Sequence, residues 1–427
     1  MPDQTQATIA RKTIEPEAIH ASPGDREILR DLSRRVAELA ARPAETEKRG
    51  LWYRHNALEP TRPLIFCDPE NGWNEIITGR DLRCAGELAR EWEMILRKEI
   101  FWGESICDDR VVQPVFDVPY VYSETGWGMS ETKIGGQNGG SYVWDAPLKS
   151  YADMDRLHAP EIIVDYSATN RLIVLAEETI GDFLTVRLRG KWWWTLGLTW
   201  TLVNLRGLGQ IMYDTYDFPD NLKSLMMFLS QGTLARLDFL ERNGLLSLNN
   251  DGTYVGSGGF GWTRELPRAG YDGAKARAID LWGFAESQET VTFSPAMFEE
   301  FIFPAQLPIL ERFGLNCYGC CESLEKRWHA VERIPRLRRV SVSPWSSVPE
   351  MAEKLGDRYL FSYKPNPADL AAPVMDDERV RGNLRQVLDA TRNCRVEVIM
   401  KDNHTIGNNP QNVIRWVRIA REEAERR

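Results

Sequence analysis

Between Asp25 and Ala41, apolar residues Ile28, Leu29, Leu32, Val36 and Leu39 recur every three or four positions, and the spacing predicts a helix with one apolar face. Leu88, Trp92 and Leu96 repeat that pattern in a second predicted helix, Leu82 to Lys98. The stretch between them, residues 50–75, is rich in Pro and Trp and reads as irregular, and the polar residues 1–24 read as a loosely held arm. Residues 1–110 thus read as an arm and a helical layer packed on the remainder of the chain rather than as a separate domain.

Further along, the pattern becomes an alternation of short apolar runs with helical periods. Val115–Tyr122 and Phe183–Arg189 are predicted strands, and Leu245–Asn250, Asp280–Ala285 and Gly314–Tyr318 are shorter ones followed by polar or Gly-rich loops. Helices are predicted over Leu198–Tyr213, Asp220–Asn243 and Pro295–Phe313, the last with Ser294 as N-cap. Arg339–Ser343, Arg358–Tyr363 and Arg395–Met400 each lead into a further helix: Val348–Leu355, Glu378–Thr391 and Gln411–Arg426. Buried strands alternating with amphipathic helices imply a parallel sheet covered on both faces. Eight strands, beginning at residues 115, 183, 245, 280, 314, 339, 358 and 395, match a (β/α)8 TIM barrel over residues 111–427, with an N-terminal helical extension. An open dinucleotide-binding sheet has no support, because no G-x-G-x-x-G follows the first strands.

Composition narrows the chemistry. The chain has 427 residues, 43% hydrophobic and 27% charged, ordinary for a globular protein. A net charge of −9 argues against a nucleic-acid or anionic-membrane partner, which would call for clustered Lys and Arg. No run approaches the ~18 uncharged apolar residues of a membrane span. The polar N-terminus lacks the apolar core of a secretory leader, and seven cysteines without a regular framework fit a reducing compartment, so a cytoplasmic location is expected.

If the barrel forms, residues after each strand meet at one mouth. Cys317, Cys320 and Cys321 fall within eight residues that also contain Tyr318 and Glu322, and clustered thiolates are a common means of holding zinc. His404 is the one histidine placed at such an end, which makes Cys320, Cys321 and His404 the candidate metal ligands. Glu286, Tyr318 and Glu322 are candidate catalytic groups, with Asp251 as a further carboxylate that could instead shape its Asn-Asp-Gly turn. Arg189, Trp192, Trp193, Trp194, Asn250, Trp345 and Lys364 are candidates for substrate binding, the tryptophans suiting a planar ligand. The Gly256–Gly261 run (GSGGFG) lacks the Lys-Ser/Thr ending of a phosphate loop and reads as a flexible lid.

Several of these features, in order, resemble the uroporphyrinogen decarboxylase superfamily, and within it the corrinoid-linked methyltransferase branch. They are Gly126–Gly128 with Met129, Pro147-Leu148, Arg189-Gly190 with the Trp cluster, Ala285-Glu286-Ser287, Ser294-Pro295, and the Asn-His-rich turn before Pro410-Gln411-Asn412-Val413. The branch holds zinc with a His-x-Cys-Gly turn after strand five and a Cys after strand eight. Here Tyr318 stands where that His would be, Cys320 keeps the Cys, and His404 stands near the second thiolate's place.

The resemblance implies a zinc-dependent methyltransferase that moves a methyl group between a small substrate, such as a methoxyaromatic, and a separate corrinoid protein, an O-demethylation. No Asp-x-His-x-x-Gly corrinoid signature is present, so the carrier would be another chain; members of the family are often dimers. The alternatives are a metal-free decarboxylase using Lys364, Arg189 and His404 on a carboxylate, and a non-catalytic barrel that captures a small ligand. The decarboxylase's Arg-rich N-terminal segment has no counterpart in Leu51–Trp73, which holds only Arg54 and Arg62.

Overall fold

The computed structural model describes residues 18–135 and 142–426, so most of the expected N-terminal arm lies outside the described residues. Five strands succeed one another from Trp282 onward, and each of the helices that covers them begins at a polar or Pro-bearing stop. In chain order the strands are β1 (Leu64–Cys67), β2 (Val115–Pro119), β3 (Tyr122–Glu124), β4 (Thr132–Gly135), β5 (Tyr142–Asp145), β6 (Ile162–Val164), β7 (Thr185–Arg189), β8 (Trp282–Ala285), β9 (Leu315–Tyr318), β10 (Leu337–Val342), β11 (Leu360–Tyr363) and β12 (Arg395–Met400). Six of them form one all-parallel sheet in the order β1-β12-β11-β10-β9-β8. β2 and β7 form a separate parallel pair, while β3 with β6 and β4 with β5 make two small antiparallel ribbons.

The fold is therefore mixed α/β with a parallel sheet, and among the described residues no continuous strand ladder closes it into the expected eight-stranded barrel. Two departures explain this. Leu64–Cys67 is a fully buried strand inside the stretch read as irregular, masked by its Pro- and Trp-rich flanks. Conversely, Leu245–Asn250 is not a strand: its hydrogen bonding runs through side chains. The Asn249 amide donates to Trp282 O (3.0 Å) and accepts from Trp282 N (2.9 Å), imitating a neighbouring backbone beside β8. On its other side Gly190 N donates to Ser247 Oγ and Arg189 to Leu248 O. Asp108 and Asp109 do the same for β1, accepting from Cys67 N and Ile65 N.

The helices agree more closely. Pro23–Ala40 starts at a Ser22 capping box, and with Glu87–Phe101 and Tyr166–Ile180 it builds an apolar layer against Phe116 and Val118 of β2. A helix not anticipated, Pro43–Asn56, brings His55 and Asn56 under the sheet. Ser294 is the expected N-cap, but its helix passes through a π turn at Phe298–Ile302. Among the described residues no helix is long and apolar enough to cross a membrane.

The glycine-rich run is not a lid. Val255–Thr263 is buried, and it threads into the interior as a plug. Glycine is required there: a Cβ on Gly258 would lie 2.6 Å from Ile399, and one on Gly256 (φ +70°) would lie 2.8 Å from the Cys317 Cβ. Beneath the plug lies a buried ionic hub. Glu397 of β12 is 2.8 Å from Arg339 Nε of β10 and 3.2 Å from His55 Nε2, and Ser362 of β11 donates to it. Arg339 also donates to Asn56 Oδ1 (2.7 Å), whose amide holds Phe260 O and Trp262 O of the plug, each at 2.8 Å. Burial opposes ionisation of Glu397, but Arg339, His55 and Lys364 outweigh it and hold its pKa at about 2.

A carboxyl depressed from 4.5 to about 2 stabilises the fold fully above pH 4.5, and that stabilisation is lost as pH falls towards 2. Glu397→Gln leaves Arg339 buried without its counter-charge, and a loss of about 3–5 kcal/mol at neutral pH is expected. Urea unfolding at a series of pH values should show that loss shrinking below pH 4.5. A loss of the same size throughout would rule the ionised hub out.

Candidate functional site

The parallel register sets the carboxyl ends of β1 and β8–β12 along one edge, where loops can converge. Asp68 and Glu70 follow β1, Lys191 and Trp194 follow β7, and Gln288 follows β8. Cys320 and Cys321 follow β9, and Lys401 and Asp402 follow β12. With Thr253 and Tyr254 leading into the plug, and Lys98 and Trp102 at the end of the helix Glu87–Phe101, they enclose a cavity of about 690 Å³. Phe66, Trp73, Trp102, Trp194, Tyr254 and Phe260 give it flat apolar walls. Its size suits a small organic molecule.

Most of the charge around the cavity is spent internally. Arg187 and Arg189 share Asp117 and Asp251 (2.7–3.2 Å), Arg110 pairs with Glu99, and Lys401 with Asp402. Lys98 and Lys191 are different: among the described residues neither has a carboxylate within ion-pair distance. The Lys98 ammonium lies 5.5 Å over the Trp73 ring, while Lys191 lines the cavity, accessible from its side yet surrounded by protein. Burial lowers both pKa values, and the Asp68 carboxylate, the one opposing charge both feel, limits the shift. Asp68 is itself held by Glu70 N (3.0 Å) and Trp73 Nε1 (3.3 Å). Burial raises the Glu70 carboxyl to about 8, so at neutral pH two ammonium groups face one carboxylate and the cavity carries an excess of positive charge, despite the acidic chain.

The thiols sit on another part of the wall. Cys320 is buried and accepts from Ser257 Oγ (3.2 Å), and its sulfur lies 3.7 Å from that of the exposed Cys321. The Cys321 contact and burial push the Cys320 thiol well above its ordinary pKa, against the pull of Lys401. Asp402 Oδ2 lies 3.9 Å from Cys321 Sγ. Two buried polar atoms in this region lack any hydrogen-bond partner, Glu70 Oε2 and the Tyr254 hydroxyl.

The structure brings together only part of the set expected from the sequence. Arg189, Trp194, Cys320 and Cys321 line the cavity. Trp192 is buried beside Tyr122, with Nε1 donating to Leu245 O, and Trp193 packs on Phe313. The Asn250 amide is taken by Leu266 O, Trp345 is 71% exposed away from the cavity, and Lys364 is buried against Ser362. Glu286, Tyr318 and Glu322 form a supporting layer. Glu286 accepts from Gln288 N and Thr195, Tyr318 donates to Gln306 Oε1, and Glu322 accepts from Ser287 N and Cys320 N, which fixes the thiol loop. The His404 side chain is exposed and does not line the cavity, and its backbone carbonyl accepts from Asn71.

These positions bear on a zinc centre. Cys320 and Cys321 lie close enough to share an ion, yet no group of three or more His, Cys, Asp and Glu side chains converges among the described residues. The Lys401 ammonium, bonded to Asp402, further opposes a divalent cation at this spot. The donor set does not fit zinc. The residues that sequence reasoning passed over as site members are Asp68, Glu70, Lys98, Lys191, Tyr254 and Lys401. A β-strand recognised at Leu64–Cys67 would have placed Asp68 and Glu70 at the mouth.

No family model matches the chain, and no curated protein sequence matches it. Among solved structures it is similar to a methyltransferase from Methanosarcina mazei, with 88% of this chain and 97% of that chain covered, 11% identity and a TM-score of 0.49. Likeness at that level assigns neither a reaction nor a residue.

A 3.7 Å sulfur separation is within reach of a bridging trivalent arsenic. One equivalent of phenylarsine oxide is expected to protect Cys321 from iodoacetamide, and Cys320→Ser should abolish the protection, as read by peptide mass spectrometry. Equal protection in the variant would mean that the two thiols do not act as a pair.

Proposed function

We propose that this chain is a methyltransferase of the uroporphyrinogen decarboxylase-like class that takes a methyl group from a flat, anionic methyl ether and gives it to a corrinoid on a separate protein. The observation that carries this reading is the aromatic-walled cavity at the strand ends with two ammonium groups, Lys98 and Lys191, left without ion-pair partners among the described residues. Aromatic walls accept the ring of a methoxyaryl group, and the lysines accept a carboxylate on that ring. The order of sequence features supports methyl transfer, and the side-chain bridges at Asn249, Asp108 and Asp109 support a barrel-like closure of the sheet. No step is assigned to zinc, since its donors are not assembled.

Decarboxylation is the second reading, because the same lysines would hold a carboxylate. It fares worse on physical grounds. Loss of CO2 removes negative charge from the carboxylate, so ammonium groups beside it stabilise the ground state more than the transition state. Lys364 and His404, which that reading uses, are not at the cavity.

Titration with 4-methoxybenzoate should quench tryptophan fluorescence, while neutral anisole should bind far more weakly. Lys98→Gln and Lys191→Gln should each weaken binding of the acid by about tenfold, the size of one lost charged hydrogen bond. With a reduced corrinoid protein, 4-hydroxybenzoate should accumulate in step with methylation of the corrinoid. Tight binding without methyl transfer would leave a ligand-binding barrel, and release of anisole from the acid would establish the decarboxylase.

A further inference from the structure

Glu70 stands out among the cavity's groups. It is a non-glycine residue in the left-handed region (φ +47°), and Asp402, whose backbone and carboxylate bear on it electrostatically, is another (φ +61°). Two such positions on one cavity wall are costly unless the surroundings enforce them, and such positions cluster where chemistry occurs. The carboxyl has one buried oxygen, Oε2, with no hydrogen-bond partner. The Tyr254 hydroxyl on the same wall is equally orphaned. Both are groups that a bound ligand could satisfy, and both are donors when protonated.

We propose, resting on the methyl-transfer reading, that Glu70 is the general acid of this site, with Tyr254 donating to the same ether oxygen. In this step the O–CH3 bond breaks and its electron pair stays on the substrate oxygen. The Glu70 proton moves to that oxygen, giving the hydroxyl product. The methyl group is taken by an electron pair from the reduced corrinoid of the partner protein, so the charges balance, and Glu70 is re-protonated from solvent. A proton here does what a metal ion would otherwise do for the departing oxygen.

The groups that face Glu70 are Asp68 and Cys67 from its own strand end, Lys401 and Asp402 after β12, and Tyr254 just ahead of the plug. Burial is the largest influence and raises the carboxyl to about 8. Lys401 pulls it down, and Asp68 and Asp402 push it up. Glu70 is thus largely protonated at neutral pH and becomes a carboxylate above about pH 8. In that form it repels an anionic ligand.

The test uses the full chain with 4-methoxybenzoate and a reduced corrinoid protein, comparing wild type with Glu70→Gln, Glu70→Asp and Tyr254→Phe. Wild-type affinity for the acid should fall above about pH 8, and Glu70→Gln should lessen that fall while still binding at neutral pH, the remainder at higher pH coming from deprotonation of Lys98 and Lys191. Turnover in Glu70→Gln should drop about 100-fold or more with little change in KM, as for loss of a general acid. Glu70→Asp should recover part of it. Ethers of more acidic phenols should suffer less, a dependence that a purely structural role would not produce. Tyr254→Phe should show a smaller loss of the same kind and guards against a folding defect in the Glu70 variants. An unchanged pH profile and turnover in Glu70→Gln would overturn the assignment while leaving methyl transfer intact. If the acid binds with the Glu70-dependent pH profile but is never demethylated, the methyl-transfer reading fails and the general-acid role falls with it. The titration of Glu70 would survive that outcome as a property of the cavity. Failure of wild type to bind the acid at any pH would remove both.

Discussion

The buried contact between Arg339 and Glu397 is the constraint around which this chain is built. A charge pair of this kind is expensive to bury and becomes tolerable only when every remaining donor and acceptor is engaged. Here that demand recruits parts of the chain that are distant in sequence: His55 and Asn56 from an N-terminal helix, Ser362 from the adjacent strand, and the carbonyls of Phe260 and Trp262. The glycine-rich plug is held in place by the same amide. Because the plug fills the sheet's interior, Tyr254 just ahead of it and Ser257 against Cys320 arrive at the mouth in fixed positions.

From that scaffold upward, the mouth divides its polar groups between structure and solvent. The arginines are neutralised by Asp117 and Asp251, and Glu322 is consumed in shaping the thiol loop. Among the described residues, the groups left without partners at the mouth include two lysines, a carboxyl oxygen and a phenol hydroxyl, set among aromatic faces. That residue of unspent valence, rather than the number of charged side chains, is what points to a ligand. It also explains how a chain with a net charge of −9 presents a cavity suited to an anion.

Much of the architecture was legible because it rests on local periodicity. The helices Pro23–Ala40, Pro219–Arg242 and Pro410–Arg426, and strands β9 to β12, fall within a few residues of where their apolar spacing places them. The failures share a cause. Leu64–Cys67 is only four residues long and is flanked by Pro63 and Pro69, so no period could reveal it. Leu245–Asn250 has strand-like composition, yet its pairing passes through Asn249, a side-chain substitution for backbone that composition does not signal. The site followed suit. Cys320, Cys321, Arg189 and Trp194 were found because they directly follow recognisable strands. Glu286, Tyr318 and Glu322 also lie at strand ends, but the pleat and the loop turns direct them beneath the mouth. His404 shows the limit of counting from a strand end, since its loop carries the ring to the surface.

The claim on which the functional account turns is that an aromatic carboxylate occupies this cavity with its charge on the two free lysines. Crystals soaked in 4-bromobenzoate would locate both ends of such a molecule, the bromine by its anomalous scattering. The account predicts the carboxylate between Lys98 and Lys191, with the ring against the aromatic walls. Bromine found only outside the cavity, or a carboxylate turned away from both ammonium groups, would contradict it.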